Sequence, residues 1–293
     1  MPDIAGPIGP HARPSILVTG ATGNVGREVV ARLVTRDVHV RCLARGRHAP
    51  HPDVDWVAGD LTDRADVRAA LVGMDAVFLI WPLLESGAAA EVIEEIAATS
   101  PRVVYLSSTA IDDEASRQSD PIVQVHVEME LMLHNAGLKP IVLRSDTLAS
   151  NARGWAAQLR IGDEVSGPDV AMTPVVDPRD VADAAVSALL RPNDDLDEEP
   201  HLLTGPEPLS RADQVARLGT VINRPLRFRS VSADLARRRM LADGRPEPLV
   251  EALISAAEHR PASNCVTDHI ERLTGRPART FTEWVTDHAV EFH

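Results

Sequence analysis

Short, almost unbroken apolar runs alternate along this chain with stretches in which apolar residues recur every three or four positions. The runs at 16–18, 38–44, 54–61, 75–81, 102–106, 140–143 and 201–204 predict strands. The stretches at 27–35, 64–72, 88–99, 121–135 and 178–190 predict helices, and a further one runs from a Ser210 cap to 222. Asp177 followed by Pro178 is a helix start, with a side-chain acceptor ahead of a residue that lacks its own N–H. Strands this apolar, separated by helices, imply a parallel sheet covered on both faces. Residues 227–293 read as one short strand and three helices, the last starting near 280. The expected fold class is therefore α/β, a doubly wound parallel sheet with a smaller C-terminal α/β lobe. The expected division is a flexible tail at 1–14, a sheet domain at 15–150 to which 175–205 return, and a lobe made of 151–174 and 206–293.

The first strand ends in three glycines spaced three apart, Gly20, Gly23 and Gly26, within SILVTGATGNVG, and a helix begins at once. A side chain at Gly20 or Gly23 would block a close-approaching pyrophosphate, and Gly26 lets the helix lie against the strand. The amides of Thr22, Gly23, Asn24, Val25 and Gly26 at that helix N-terminus then face the phosphates. Strand, glycine turn, helix and second strand together predict a Rossmann-type dinucleotide site.

The second strand ends in Arg45, with Arg47 and His48 just beyond, and the first acid after it is Asp53. An acid at the strand end would accept from the ribose hydroxyls of NAD; an arginine there favours a 2′-phosphate, so the expected cofactor is NADP(H). Asp60 with the backbone of Leu61 would receive adenine, or Asp60 would cap the helix beginning near Thr62, where Asp63 also stands. Trp81 and Pro82 fall at the carboxyl end of the fourth strand and read as pocket wall on the nicotinamide side, or as packing against a neighbouring loop. Ser107, Ser108 and Thr109 follow the fifth strand, where a hydroxyl can meet a substrate carbonyl or cap the turn. On the helix at 121–135, His126 and Glu130 stand four apart on one face: a proton donor with a partner, or a solvent-facing polar pair. Arg144, Ser145, Asp146 and Asn151 are expected in the loop where the chain leaves the sheet.

The formal net charge of −13 repels phosphate backbones, and no basic face argues for nucleic acid; the cluster at Arg237 to Arg239 reads as a solvated helix face. The acidic run at 194–199 reads as a solvated loop. No apolar run reaches the length of a membrane span, and the proline-rich start lacks the apolar core of a signal peptide. Cys42 and Cys265 form neither a disulfide framework nor metal-ligand spacing, so no metal is expected and a reducing, cytoplasmic setting is. Trp155, Arg153, Met172 and Met240 in the lobe line a substrate pocket or belong to its core. The apolar helix at 123–133 suits either a monomer or a homodimer.

TGATGNVG, a sheet strand ending in YLSS, His126 and Glu130 on one helix, GL followed by IVLRSDTLASN, VVDPRDVADAA, LLTGPEPLS and the closing RLTGRPARTF occur in this order. Together they resemble the NmrA-like branch of the atypical short-chain dehydrogenase/reductases, over about residues 15–293. The resemblance implies a nicotinamide dinucleotide between a Rossmann domain and a C-terminal lobe. It also implies a choice among quinone and azo-dye reductases, enzymes of secondary metabolism, and regulators that sense the cofactor's redox state. The superfamily's catalytic tyrosine and lysine, four apart on the helix after the fifth strand, have no counterpart: the one tyrosine is Tyr105, inside a strand, and the one lysine is Lys139, past the helix. His126 and Glu130 occupy their places. The expected activity is NADPH-dependent hydride transfer to a small apolar acceptor such as a quinone, an aromatic carbonyl or a polyketide-like compound. The alternatives are a non-catalytic NAD(P)-sensing regulator and an enzyme that retains its cofactor for a non-redox rearrangement.

Overall fold

The structure, a computed structural model, describes residues 13–46, 51–99, 101–191 and 199–293. Arg47, His48, the tail through residue 12 and most of the acidic run at 194–199 lie outside the described residues.

Seven parallel strands form the central sheet in the order β3-β2-β1-β4-β5-β6-β9. They are β1 (Ser15–Thr19), β2 (His39–Ala44), β3 (Val54–Ala58), β4 (Ala76–Leu79), β5 (Arg102–Ser108), β6 (Ile141–Ser145) and β9 (His201–Leu203). The order reverses between β1 and β4, which opens a crevice at the carboxyl edge there, where ligands bind in such sheets. Side chains alternate between the two faces because the strand repeat is two. Ile16 and Val18 join one buried cluster, with α1 (Gly26–Leu33) and α6 (Pro178–Leu190). Leu17, Val77, Leu79, Val103 and Tyr105 join the other, beneath α2 (Arg64–Leu71), α3 (Ala89–Thr99) and α4 (Pro121–Asn135). The apolar strands are buried on both sides, as their composition required.

After β6 the chain makes a 3-10 turn, Ala149–Trp155, and a short α5 (Ala156–Leu159). Two small sheets build the lobe: β7 (Glu164–Gly167) parallel to β11 (Arg227–Ser230), and β8 (Thr173–Pro174) antiparallel to β10 (Pro208–Leu209). Its third core gathers Trp155, Leu159, Leu218, Phe281 and Trp284 around α7 (Arg211–Val221). Beyond β11 come four helices rather than the expected three: α8 (Ala233–Ala242), α9 (Glu247–His259), α10 (His269–Thr274) and α11 (Phe281–His288). The extra one is the six-residue α10, too short to show a helical period, and its Ile270 and Leu273 pack into the sheet's own core.

Charged contacts tie this C-terminal segment to the sheet. Asp180, fully buried on α6, accepts from the Arg279 amide at 2.7 Å and from the Arg276 and Arg279 guanidiniums. Asp120, the N-cap of α4, holds Arg260 at 2.6 Å. The strand β6 also runs two residues further than expected, so Arg144 and Ser145 belong to the sheet, paired with Ser107 and Ser108.

Candidate functional site

The glycine turn has the geometry its sequence implied. Gly20 adopts φ +61, a conformation that costs a non-glycine residue roughly 1 kcal/mol or more, and a Cβ there would lie 2.9 Å from that of Ile80. At Gly26 a Cβ would fall 2.1 Å from the Gly20 carbonyl oxygen, so the helix can start only because the side chain is missing. Gly23 donates its amide to the Gly20 oxygen at 2.9 Å, and a Cβ there would touch only that oxygen, at 3.2 Å. The helix start carries no side-chain cap. A cradle walled by glycine at the N-terminus of a helix is what a pyrophosphate requires. Thr22 is exposed at its rim, the Asn24 amide oxygen accepts from Arg27 at 2.9 Å, and Val25 is buried beneath. Sequence reasoning missed Thr19, whose buried hydroxyl donates to the Ile80 oxygen at 3.0 Å and accepts from the Ile80 amide at 2.8 Å. It fixes the ends of β1 and β4 around the crevice.

At the ends of β2 and β3, Arg45 is exposed and its charge helps hold the Asp60 carboxyl below the ordinary range, after the hydrogen bonds from Thr62. Asp60 does not cap α2. Its carboxylate accepts from the Thr62 amide and hydroxyl, each at 2.9 Å, while Asp63 caps the helix through Ala65 and Asp66. Leu61, half-buried beside it, packs on the core.

Trp81 turns into the core rather than walling the crevice: it is 5% exposed, and its indole N–H donates to the Glu85 carbonyl at 2.9 Å, holding the loop after β4. Of the lobe residues, Trp155 is core beneath the Arg211 guanidinium, Arg153 pairs with Glu291 over the Trp284 ring, and Met240 packs on a small cluster with Ala236. Met172 is half-buried, and its carbonyl accepts from the Ser263 amide at 2.9 Å.

Between β5, β6 and α4 lies a buried polar cluster. Ser107 donates its hydroxyl to Glu130, and Arg144 bonds Glu130 at 2.7 Å and Asp113 at 2.7 Å. The Ser107 proton is thus committed within the protein, while Ser108 accepts from the Ala110 amide at 3.2 Å and caps the turn. Glu130 does not orient His126; Tyr105 does, its hydroxyl lying 2.9 Å from His126 Nδ1. Nor is His126 poised near neutrality: burial, then the nearby Arg260 charge, pushes it down to about 4 against the pull of Asp120. Tyr105 is driven the other way, above its ordinary range, by burial and by Glu130. The signal that could have found this pair was the strand period, which puts Tyr105 and Ser107 on one face of β5, opposite α4. What it could not give was that a tyrosine within a strand is long enough to meet the helix residue one turn nearer the crevice.

Two hollows flank α4. The larger, about 730 Å³, runs from Asp113 and Arg144 to Lys139 and Pro140 at the opposite edge of the sheet. The smaller, about 440 Å³, opens at the carboxyl edge between Glu85, Ser86 and the start of α4 at Pro121 and Gln124. Among the described residues no cluster of side chains could hold a metal ion, and no helix is long and apolar enough to cross a membrane.

Fold and turn define a dinucleotide-binding protein of the doubly wound class. Residues 20–192 match the NAD(P)H-binding family. The chain is 36% identical to a (4-alkanoyl-5-oxo-2,5-dihydrofuran-3-yl)methyl phosphate reductase of Streptomyces griseus, covering 94% of this chain and 99% of that one. It is 30% identical to an NAD(P)H azoreductase of Xenophilus azovorans, again over 94% of this chain and 99% of the relative. Its fold is shared with an NADPH-dependent quinone oxidoreductase of Escherichia coli solved with NADPH, at a TM-score of 0.75 and 20% identity over 93% of this chain and 99% of that one. The chain belongs to the NAD(P)H-binding family and, within it, to the NmrA-like atypical short-chain dehydrogenase/reductases, as an NAD(P)H-dependent oxidoreductase.

Proposed function

We propose that the protein is an NADPH-dependent reductase of small, electron-poor, largely apolar acceptors: quinones, aromatic carbonyls or polyketide-like compounds. The observation that carries this reading is how the fold commits its candidate proton donors. Tyr105 is sealed inside β5 and bonded to His126, Lys139 lies beyond α4, and His126 is neutral at physiological pH, so among the described residues no strong acid stands ready to protonate an alkoxide. A conjugated acceptor does not need one, because the negative charge it gains is delocalised and solvent can protonate it. The acceptors named for the two curated relatives, an acylated oxo-dihydrofuran that carries a methyl phosphate and azo compounds, are conjugated in this way.

The residues present fit a reduced dinucleotide, which when bound supplies the hydride. The amides around Gly23 and the N-terminus of α1 hold the pyrophosphate, Arg45 meets the 2′-phosphate, and Asp60 with Leu61 borders the adenine. The Ser107, Glu130 and Arg144 cluster keeps the floor rigid, and the loop held by Trp81 shapes the entrance and excludes water. The remaining protein has to orient the acceptor more than to transform it.

The test is to bind NADPH to the purified protein and follow its oxidation across quinones, aromatic ketones and azo dyes. Turnover of one class, with NADPH preferred to NADH, is expected. Tight cofactor binding with no turnover in any class overturns the reductase reading in favour of a cofactor sensor.

A further inference from the structure

We propose that Tyr105 is a positioning residue: its buried phenol pins His126 in the tautomer that carries the proton on Nε2, so that His126 offers the acceptor oxygen a neutral N–H hydrogen bond. This rests on the reading of the crevice as a reductase site.

The argument starts from the hydrogen count of the pair. Tyr105 is fully buried among Leu79, Val125, Met129 and Leu133, and among the described residues His126 Nδ1, at 2.9 Å, is the one hydrogen-bond partner of its hydroxyl. The two rings are tilted by 50° with centroids 6.1 Å apart, so they meet through this bond and not by stacking. Were Nδ1 the donor, the phenolic proton would be buried in an apolar setting with no acceptor, which a fold pays for heavily. With the phenol as donor, every proton is placed, because an oxygen that accepts nothing costs far less than a proton that finds no acceptor. Nδ1 is then the bare nitrogen, and a neutral imidazole must carry its proton on Nε2.

Nε2 has no hydrogen-bond partner among the described residues, nor is it among the polar atoms sealed from solvent without one. It is an oriented donor with nothing to bond. The charges around the ring are arranged to keep it uncharged. Arg260, from the segment after α9, opposes protonation, and Asp120, its ion-pair partner at 2.6 Å, only partly offsets it. On the strand side Glu130 faces the phenol, but its carboxylate is engaged by Arg144 and Ser107. A neutral imidazole used as a hydrogen-bond donor polarises a carbonyl without giving up its proton. A bound reduced nicotinamide would supply hydride, with its electron pair, to the acceptor carbon and be left oxidised. The acceptor's π pair moves onto its oxygen, Nε2–H bonds that oxygen, and water supplies the proton.

The decisive measurement needs no turnover. Protein labelled with ¹⁵N in its histidines, with His126 assigned by the signals lost in His126→Gln, is compared with Tyr105→Phe, which keeps the ring that fills the core and removes only the hydroxyl. In the wild type, His126 is expected to show a bare Nδ1 and a protonated Nε2, unchanged between about pH 5.5 and 8. In Tyr105→Phe the two nitrogens are expected to average toward a mixture of tautomers. With an active acceptor, kcat is expected to fall about tenfold in Tyr105→Phe while KM for NADPH holds. His126→Gln, whose amide places a donor near Nε2, is expected to keep more kcat than His126→Asn, and adding Tyr105→Phe to His126→Gln should change kcat no further. A protonated Nδ1 in the wild type, or ring signals unmoved by Tyr105→Phe, overturns the proposal whatever the turnover. The expected signals with no acceptor reduced would instead overturn the reductase reading, and with it the task assigned to His126.

Discussion

Alanine at Gly23 and at Gly26, introduced one at a time, should separate cofactor binding from folding. At Gly26 the added methyl would lie 2.1 Å from the Gly20 oxygen, 2.7 Å from its carbonyl carbon and 2.8 Å from Ala21 Cα. All three are backbone atoms, so no side chain can rotate away. Overpacking costs about 1–3 kcal/mol where side chains can yield, and the upper end or more is expected here. Alanine's better helix propensity offsets up to about 1 kcal/mol of that. The net loss of about 2 kcal/mol or more corresponds to a melting temperature lower by about 3 °C or more. At Gly23 the methyl meets a single oxygen at 3.2 Å, and φ is not in the left-handed region, so the fold should lose no more than about 1 kcal/mol. The methyl would stand in the cradle, however, and NADPH affinity should fall by about a hundredfold, close to 3 kcal/mol of binding. Thermal melts and calorimetric titration with NADPH read the two effects. If Gly23→Ala binds NADPH as the wild type does, the pyrophosphate is not where the turn places it. If Gly26→Ala melts like the wild type, the close approach of helix to turn is not the constraint claimed for it.

Three further outcomes follow from the same geometry. Arg45→Ala should weaken NADPH binding by roughly 10–100-fold, the worth of a charge-assisted contact to the 2′-phosphate, and leave NADH unchanged; equal losses for both would remove the arginine from that role. Asp180→Ala strips two arginines and the Arg279 amide of a fully buried acceptor, so urea unfolding should show a loss of about 3 kcal/mol, with NADPH stoichiometry intact once the protein is folded. His126, down to about 4 when folded against an ordinary 6.5, takes up its proton more readily in the unfolded chain. Its contribution to stability is therefore complete above about pH 6.5 and is lost as pH falls toward 4, about 2 kcal/mol between pH 7 and 5. His126→Gln should flatten the stability profile by that amount across this interval, and an unchanged slope would contradict a buried neutral imidazole.

Much of the molecule was written in the pattern of its residues. Helices Pro121–Asn135 and Pro178–Leu190 lie where the period puts them, the second also where its Asp177 cap does; Asp120, which the sequence reading did not name, caps the first in the same way, and proline fixes the first turn of both. The glycine turn was legible for the same reason: a backbone that must pass within 2.1 Å of a would-be Cβ restricts the residue type directly. The place of Arg45 just past β2 was equally local.

Contacts between elements were not legible, and they decide what the crevice residues do. His126 and Glu130 share a helix face in sequence, yet β5 and β6 assign them different partners: Tyr105 takes one, Ser107 and Arg144 the other. Burial then moves His126 away from the acid its residue type suggests. Trp81 sits at the expected strand end but faces inward, since the Glu85 carbonyl, four residues on, claims its N–H. The short α10 and the Asp180 clamp arise from residues almost a hundred positions apart along the chain. Sequence sets period, turn and charge because these are properties of near neighbours; protonation state, tautomer and the direction a side chain faces depend on what distant segments bring to it, and only the folded chain fixes that.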